Sequence, residues 1–174
     1  EYEAFLTYGV LPTPSATLEL LARCARRDTS EMENALFTLV QRGLAERVSR
    51  PGSDLVIYRV HDLAHSYAKA NRWQRISTFI HSALEFLQHH KDDLDVLDAE
   101  IGNVLAATQT AKERGLESDL VNFMHLLTVE GTYYLARGHT HRSIELLKVA
   151  ADVAEKRRRL EEAQYLFGRL GDYY

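Results

Sequence analysis

Apolar and polar positions alternate along this chain with two different periods. Met32, Ala35, Leu36, Leu39 and Val40 recur at i, i+3, i+4, i+7 and i+8, the stripe of an amphipathic helix. Asp28-Thr29-Ser30-Glu31 before it fits a capping box, and Gly43 behind it fits a left-handed closure. Upstream, residues 1–8 read as the end of a short helix stopped by Gly9. Thr13 and Pro14 then read as the cap and first turn of a second helix carrying Leu18, Leu21, Ala22 and Ala25, to about Arg27. Downstream the period shortens. Leu44 to Val48 and Leu55 to Val60 read as strands, joined by the polar turn Ser49 to Asp54.

After Val60 the helical period returns and does not stop. A helix is predicted from Asp62, which is read as its cap, with Leu63, Ala64, Tyr67 and Ala68 facing inward. Further helices are predicted over Trp73 to His90, Leu94 to Arg114 (closed by Gly115), Glu117 to Arg137 (closed by Gly138), Thr140 to Arg158, and from Leu160 onward. Gly131-x-x-Tyr134 recurs as Gly171-x-x-Tyr174, and Gly138, Ser143, Leu147 and Ala150 follow Gly131 at offsets of the tetratricopeptide pattern. The fold class expected is therefore mainly α: a winged-helix domain with a small β-hairpin wing, then a tetratricopeptide-like array. The expected boundaries are 1–70 for the winged helix, 71–115 for linker helices and 116–174 for truncated repeats.

Composition narrows the function classes. The chain has 174 residues, is 45% hydrophobic and 26% charged, and carries a net charge of −4. Residues 1–90 hold 10 Lys/Arg against 10 Asp/Glu, and residues 91–174 hold 11 against 15, so neither half has the basic excess of a nucleic-acid binder. No apolar run approaches the roughly 20 residues of a membrane helix. A single cysteine, Cys24, cannot form an internal disulfide, which points to the cytoplasm, and no motif around it marks a nucleophile. Glu1 at the start and a helical pattern still running at Tyr174 suggest a piece of a larger protein.

Candidate chemistry is sparse. His61-Asp62-Leu63-Ala64-His65 approaches the zinc-peptidase spacing, but Asp62 is a methylene shorter than the required Glu and His61 precedes the helix, so the i, i+4 geometry fails. His89-His90 and His139-x-His141 are read as solvated, because neighbouring side chains on a helix point about 100° apart. Asp92, Asp93, Asp95 and Asp98 suit a helix start, and Lys156 to Arg159 suit a helix end. No Gly-Lys pair exists, so no phosphate-cradling loop can be built and no enzyme activity is expected of this segment. On the helix over Thr29 to Arg42, Phe37, Gln41, Asn34 and Thr38 oppose the core stripe, with Glu31 and Glu33 near its start. That face suits a protein contact better than DNA, despite Arg47, Arg50 and Arg59 in the hairpin.

"GVLPT", "EMENALFTLVQRGL" and "YRVHDL" together resemble the winged-helix domain of NB-ARC (STAND) signalling ATPases, the family of apoptotic protease-activating factor and plant resistance proteins. "YRVHDL" corresponds to the family's Met-His-Asp motif, with Val60 in place of Met. The resemblance implies that His61 contacts the phosphates of ADP held by an upstream nucleotide-binding domain and that Asp62 caps the next helix and aims His61, while the exposed face of Phe37 and Gln41 is a candidate interdomain contact. "LDAEIGNVLAATQTAKERG" (97–115) resembles the linker helix of bacterial members, whose helical repeats bind a protein partner or ligand. The implied cofactor, ADP or ATP, belongs to the parent protein and not to this segment. A DNA-binding regulator with a helical sensor domain is the alternative.

Overall fold

The structure, a computed structural model, describes residues 1–49, 55–72, 76–130, 133–137 and 141–172. It is mainly helical with one small antiparallel sheet. Helix α1 (Tyr2–Thr7) runs into a 3-10 turn (Tyr8–Val10), and its Ala4, Phe5 and Leu6 are buried. Strand β1 (Ser15–Thr17) follows where the Thr13-Pro14 pair predicts a helix start. The cap of helix α2 (Leu18–Ala25) is instead Thr17, whose hydroxyl accepts from the backbone N–H of Leu20 at 3.3 Å. Pro14 lies in the bend before β1, and its carbonyl accepts from Val60 N–H at 2.9 Å.

Helix α3 (Thr29–Gln41) forms as its stripe predicts, with Asp28 accepting from Ser30 N–H at 2.8 Å and Met32, Ala35, Leu36 and Leu39 buried. Gly43 (φ +68°) closes it, and Leu44 N–H returns to the Leu39 carbonyl at 2.9 Å. Strands β2 (Ala45–Ser49) and β3 (Val56–Val60) pair antiparallel, and β1 joins the other side of β3, giving the order β1-β3-β2. Ala16, Tyr58, Ala45 and Val60 point into the core from the three strands. The opposite face pairs Glu46 with Arg59 and Val48 with Ile57 in register. The turn over 50–54, including Arg50, lies outside the described residues.

Helix α4 (Asp62–Ala70) turns differently from expectation. His65 and Ala68 are buried, whereas Leu63 is 86% exposed and Tyr67 is exposed. The reason is the 3-10 turn that it meets. His65 Nε2 donates to the Leu11 carbonyl at 3.1 Å, and Gly9 lies so close that a Cβ there would stand 2.2 Å from the Ala68 carbonyl oxygen. Two backbones touch here, leaving no room for larger residues between them.

Helices α5 (Ile76–His90) and α6 (Leu94–Glu113) follow, with Asp93 capping α6 and Gly115 (φ +66°) closing it. Trp73 lies outside the described residues. The long helix expected over Glu117 to Arg137 is divided into α7 (Glu117–His125), a π-helical turn (Leu126–Glu130) and α8 (Tyr133–Arg137). Gly131, Gly138 and Tyr174, on which the repeat pattern rests, also lie outside the described residues. Helices α9 (His141–Lys156) and α10 (Leu160–Gly171) complete the chain, with α9 packed on α7 and on α10. One continuous apolar cluster runs from Ala4 to Leu170, through α2 against α5 and α5 against α6. No helix among the described residues is long and apolar enough to cross a membrane.

Candidate functional site

Where β3 ends, His61 stands with its side chain 70% exposed, and its Nε2 lies 3.6 Å from Glu46 Oε1 on β2. The backbone turns into α4 at this residue, and His61, not Asp62, is the N-cap. No side chain caps the helix; His61 supplies only its carbonyl, which accepts from His65 N–H at 2.8 Å. Asp62 is the first helical residue, where its charge faces the positive helix end without a capping bond. The expected capping role of Asp62 is therefore corrected. His65, four residues on, points inward to Leu11, so the two histidines do not converge on a metal. Burial lowers the proton affinity of His65. Phe37 (59% exposed) and Gln41 do lie together on the solvent face of α3, with Glu31 and Glu33.

A second cluster went unread in the sequence. β1 is an edge strand, and its outer polar groups meet side chains of α6 in place of another strand. Thr17 N–H donates to Glu100 Oε1, and Asn103 Nδ2 donates to the Ser15 carbonyl at 3.1 Å. Asn103 Nδ2 also donates to Glu100 Oε2 at 2.7 Å, and the Thr13 hydroxyl donates to Asn103 Oδ1 at 2.9 Å. Glu100 is fully buried with no cation beside it, and burial raises its pKa from 4.5 to about 7 against the opposing hydrogen bonds of Asn103 and Thr17. Burial makes the phenol of Tyr8 and the thiol of Cys24 hold their protons more tightly, and the charge of Glu100 adds to this. The Cys24 thiol is pushed up to about 12, an inert core group, as the sequence suggests. A signal for Glu100 was present: it occupies an apolar-stripe position of α6, with Leu97, Val104, Ala107 and Ala111.

Members of both charged runs are engaged within the fold. Arg157 grips Glu117 Oε2 at 3.0 and 2.9 Å, and Arg159 pairs with Glu162. Asp95 and Asp98, expected to be solvated, both meet Arg137 of α8, and Asp98 also accepts from Tyr133. His139 lies outside the described residues and His141 is exposed at the start of α9. On the helical side, α5, α7 and α10 border a groove of about 490 Å³ lined by His81, Glu85, Asn122, His125, Arg159 and Glu162 among others. Compared with known proteins, the chain significantly matches no family model, no curated protein and no solved structure.

Proposed function

We propose that the chain is a non-catalytic regulatory segment of a bacterial signal-transduction NTPase, cytoplasmic, in which a winged helix senses ADP held by an upstream nucleotide-binding domain. The helical repeats that follow bind a protein partner or ligand. The observation that carries this reading is His61: a histidine at the end of the central strand, 70% exposed, followed by the 86% exposed Leu63. Neither side chain serves the core, so both are available to a neighbouring domain. The order α1, β1, α2, α3, β2, β3 supports a winged helix with the β2–β3 hairpin as its wing. The Glu100–Asn103 clamp supports a mechanical link, since any displacement of β1 is felt by α6. The groove over α5, α7 and α10 offers mixed polar contacts suited to a peptide or a protein loop.

The test is ADP affinity in the parent protein. An imidazole donating to a phosphate oxygen makes a charge-assisted bond of roughly 1.5–3 kcal/mol, so His61→Ala should weaken ADP by about tenfold or more. The same substitution should leave the melting temperature of the 174-residue chain almost unchanged. Asp62→Ala should also be mild, at most about 1 kcal/mol, because it removes a first-turn charge and no cap. Unchanged ADP affinity in the His61→Ala parent would reject the sensing role. The DNA-binding alternative has less behind it, since the solvent face of α3 carries Glu31 and Glu33 beside Phe37.

A further inference from the structure

Glu19 belongs to the first turn of α2, and His89 and His90 end α5, seventy residues later in the chain. Packing of α2 on α5 brings the three together. Glu19 Oε2 lies 2.6 Å from His90 Nε2, and one ligating atom from each of the three residues lies within 4.8 Å of the others. Among the described residues this is the one group of three His, Cys, Asp or Glu side chains so placed. We propose that Glu19, His89 and His90 form a binding site for a divalent transition metal of the zinc type, which fastens α2 to the end of α5. The site is independent of the nucleotide-sensing reading and shares no residue with it.

The donor set decides the class of ion. Two imidazoles and one carboxylate suit zinc and its neighbours, whereas magnesium and calcium need oxygen donors throughout. Bonds of about 2.0–2.2 Å to a tetrahedral ion place its ligands about 3.3 Å apart. Without metal, a proton holds Glu19 and His90 closer than that, and replacing this proton with zinc needs them to part by less than about 1 Å. His89 must swing inward, and it is exposed and able to turn. A solvent molecule completes the fourth position, as in open three-ligand sites.

The surroundings prepare the carboxylate. Arg23 holds Glu19 Oε1 with two bonds of 3.0 and 2.8 Å, which fixes the carboxylate plane and leaves Oε2 turned toward His90. The Phe86 ring lies 4.6 Å from that of His90, centre to centre, and restricts its rotation. Asp93 N–H donates to the His90 carbonyl at 2.9 Å and fixes the turn that follows. The carbonyl end of α5 adds negative potential where the cation would sit.

The experiment is calorimetric titration of chelator-treated protein with zinc chloride, paired with cobalt substitution read by visible absorption. One zinc per chain is expected, with a four-coordinate cobalt spectrum and a raised melting temperature. Glu19→Gln, His89→Ala and His90→Ala should each weaken zinc by about tenfold or more, while His141→Ala, which removes an exposed histidine on α9, should not. Absence of saturable one-to-one binding would overturn the proposal, as would wild-type affinity in any of the three ligand variants. Metal-free melts check that each variant folds. If Glu19→Gln fails that check, the exposed His89→Ala variant and the cobalt spectrum still decide.

Discussion

Glu100 has given up its water without gaining a cation, and its proton affinity follows from that. Its carboxyl titrates near 4.5 in an unfolded chain and at about 7 in the folded one. Between those values the folded chain keeps a proton that the unfolded chain has lost, so this group's contribution falls as pH rises through the window. The gap corresponds to an effect on the order of 3 kcal/mol. Urea unfolding at pH 5.5 and pH 8 should show about 2 kcal/mol of that loss, because the unfolded carboxyl is already mostly ionised at pH 5.5. Glu100→Gln should largely remove the difference between the two pH values. It should also lower stability by about 1–3 kcal/mol, because its amide donor would face the Asn103 donor. A wild-type protein equally stable at both values, or a variant with an unchanged slope, would contradict this account. Sequence periodicity placed Glu100 on a buried stripe, but no one-dimensional pattern shows that Thr17, eighty-three residues away, offers it a backbone N–H.

Helix ends were the most legible elements and helix faces less so. Gly43 and Gly115 close α3 and α6 in the left-handed conformation, as their positions predict. Arg26 (φ +54°) and Arg158 (φ +58°) close α2 and α9 the same way, with Arg27 N–H returning to Ala22 and Arg159 N–H to Ala154. Arginine carries no such signal, so the closures were invisible. Gly9 is the reverse case. It reads as a helix stop, yet its structural role is contact: α4 rests on it through the Ala68 carbonyl. Gly9→Ala must push backbone against backbone and should destabilise the chain by about 2–4 kcal/mol. A chemical denaturation curve measures that loss. A neutral Gly9→Ala variant would mean that α4 is free to move away from the 3-10 turn.

Among the described residues, many charges are spent on internal pairs. Arg157 and Arg159 of the basic run are tied to Glu117 and Glu162, and Arg137 is shared by Asp95 and Asp98. The net charge is −4, and α3 faces solvent with Glu31 and Glu33. Affinity for pooled DNA duplexes at physiological salt should therefore stay weak, in the non-specific range of about 10⁻⁴–10⁻⁶ M or weaker. A gel-shift series reads this directly, and a tight, sequence-selective band would favour the regulator alternative. At the same scale the sheet end and the helical end of the chain share one core. Apolar contact is continuous from α1 to α10, and the edge of the sheet is completed by side chains of α6.

Local chemistry alone determined the helical stretches, the β2–β3 pairing, the burial of the α3 stripe and the exposure of Phe37 and His61. Each follows from period, caps and glycine, which act within a few residues. Contacts between distant segments decided the rest. The α4 face turned because a backbone carbonyl at Leu11 needed a donor and Gly9 admitted close approach. Ser15 to Thr17 entered a strand because β3 offered a ladder to join. Glu19 met His90 only because α2 lies on α5. Such pairings depend on which surfaces bury each other, and that choice is made by the assembled core, beyond the reach of any short window of sequence.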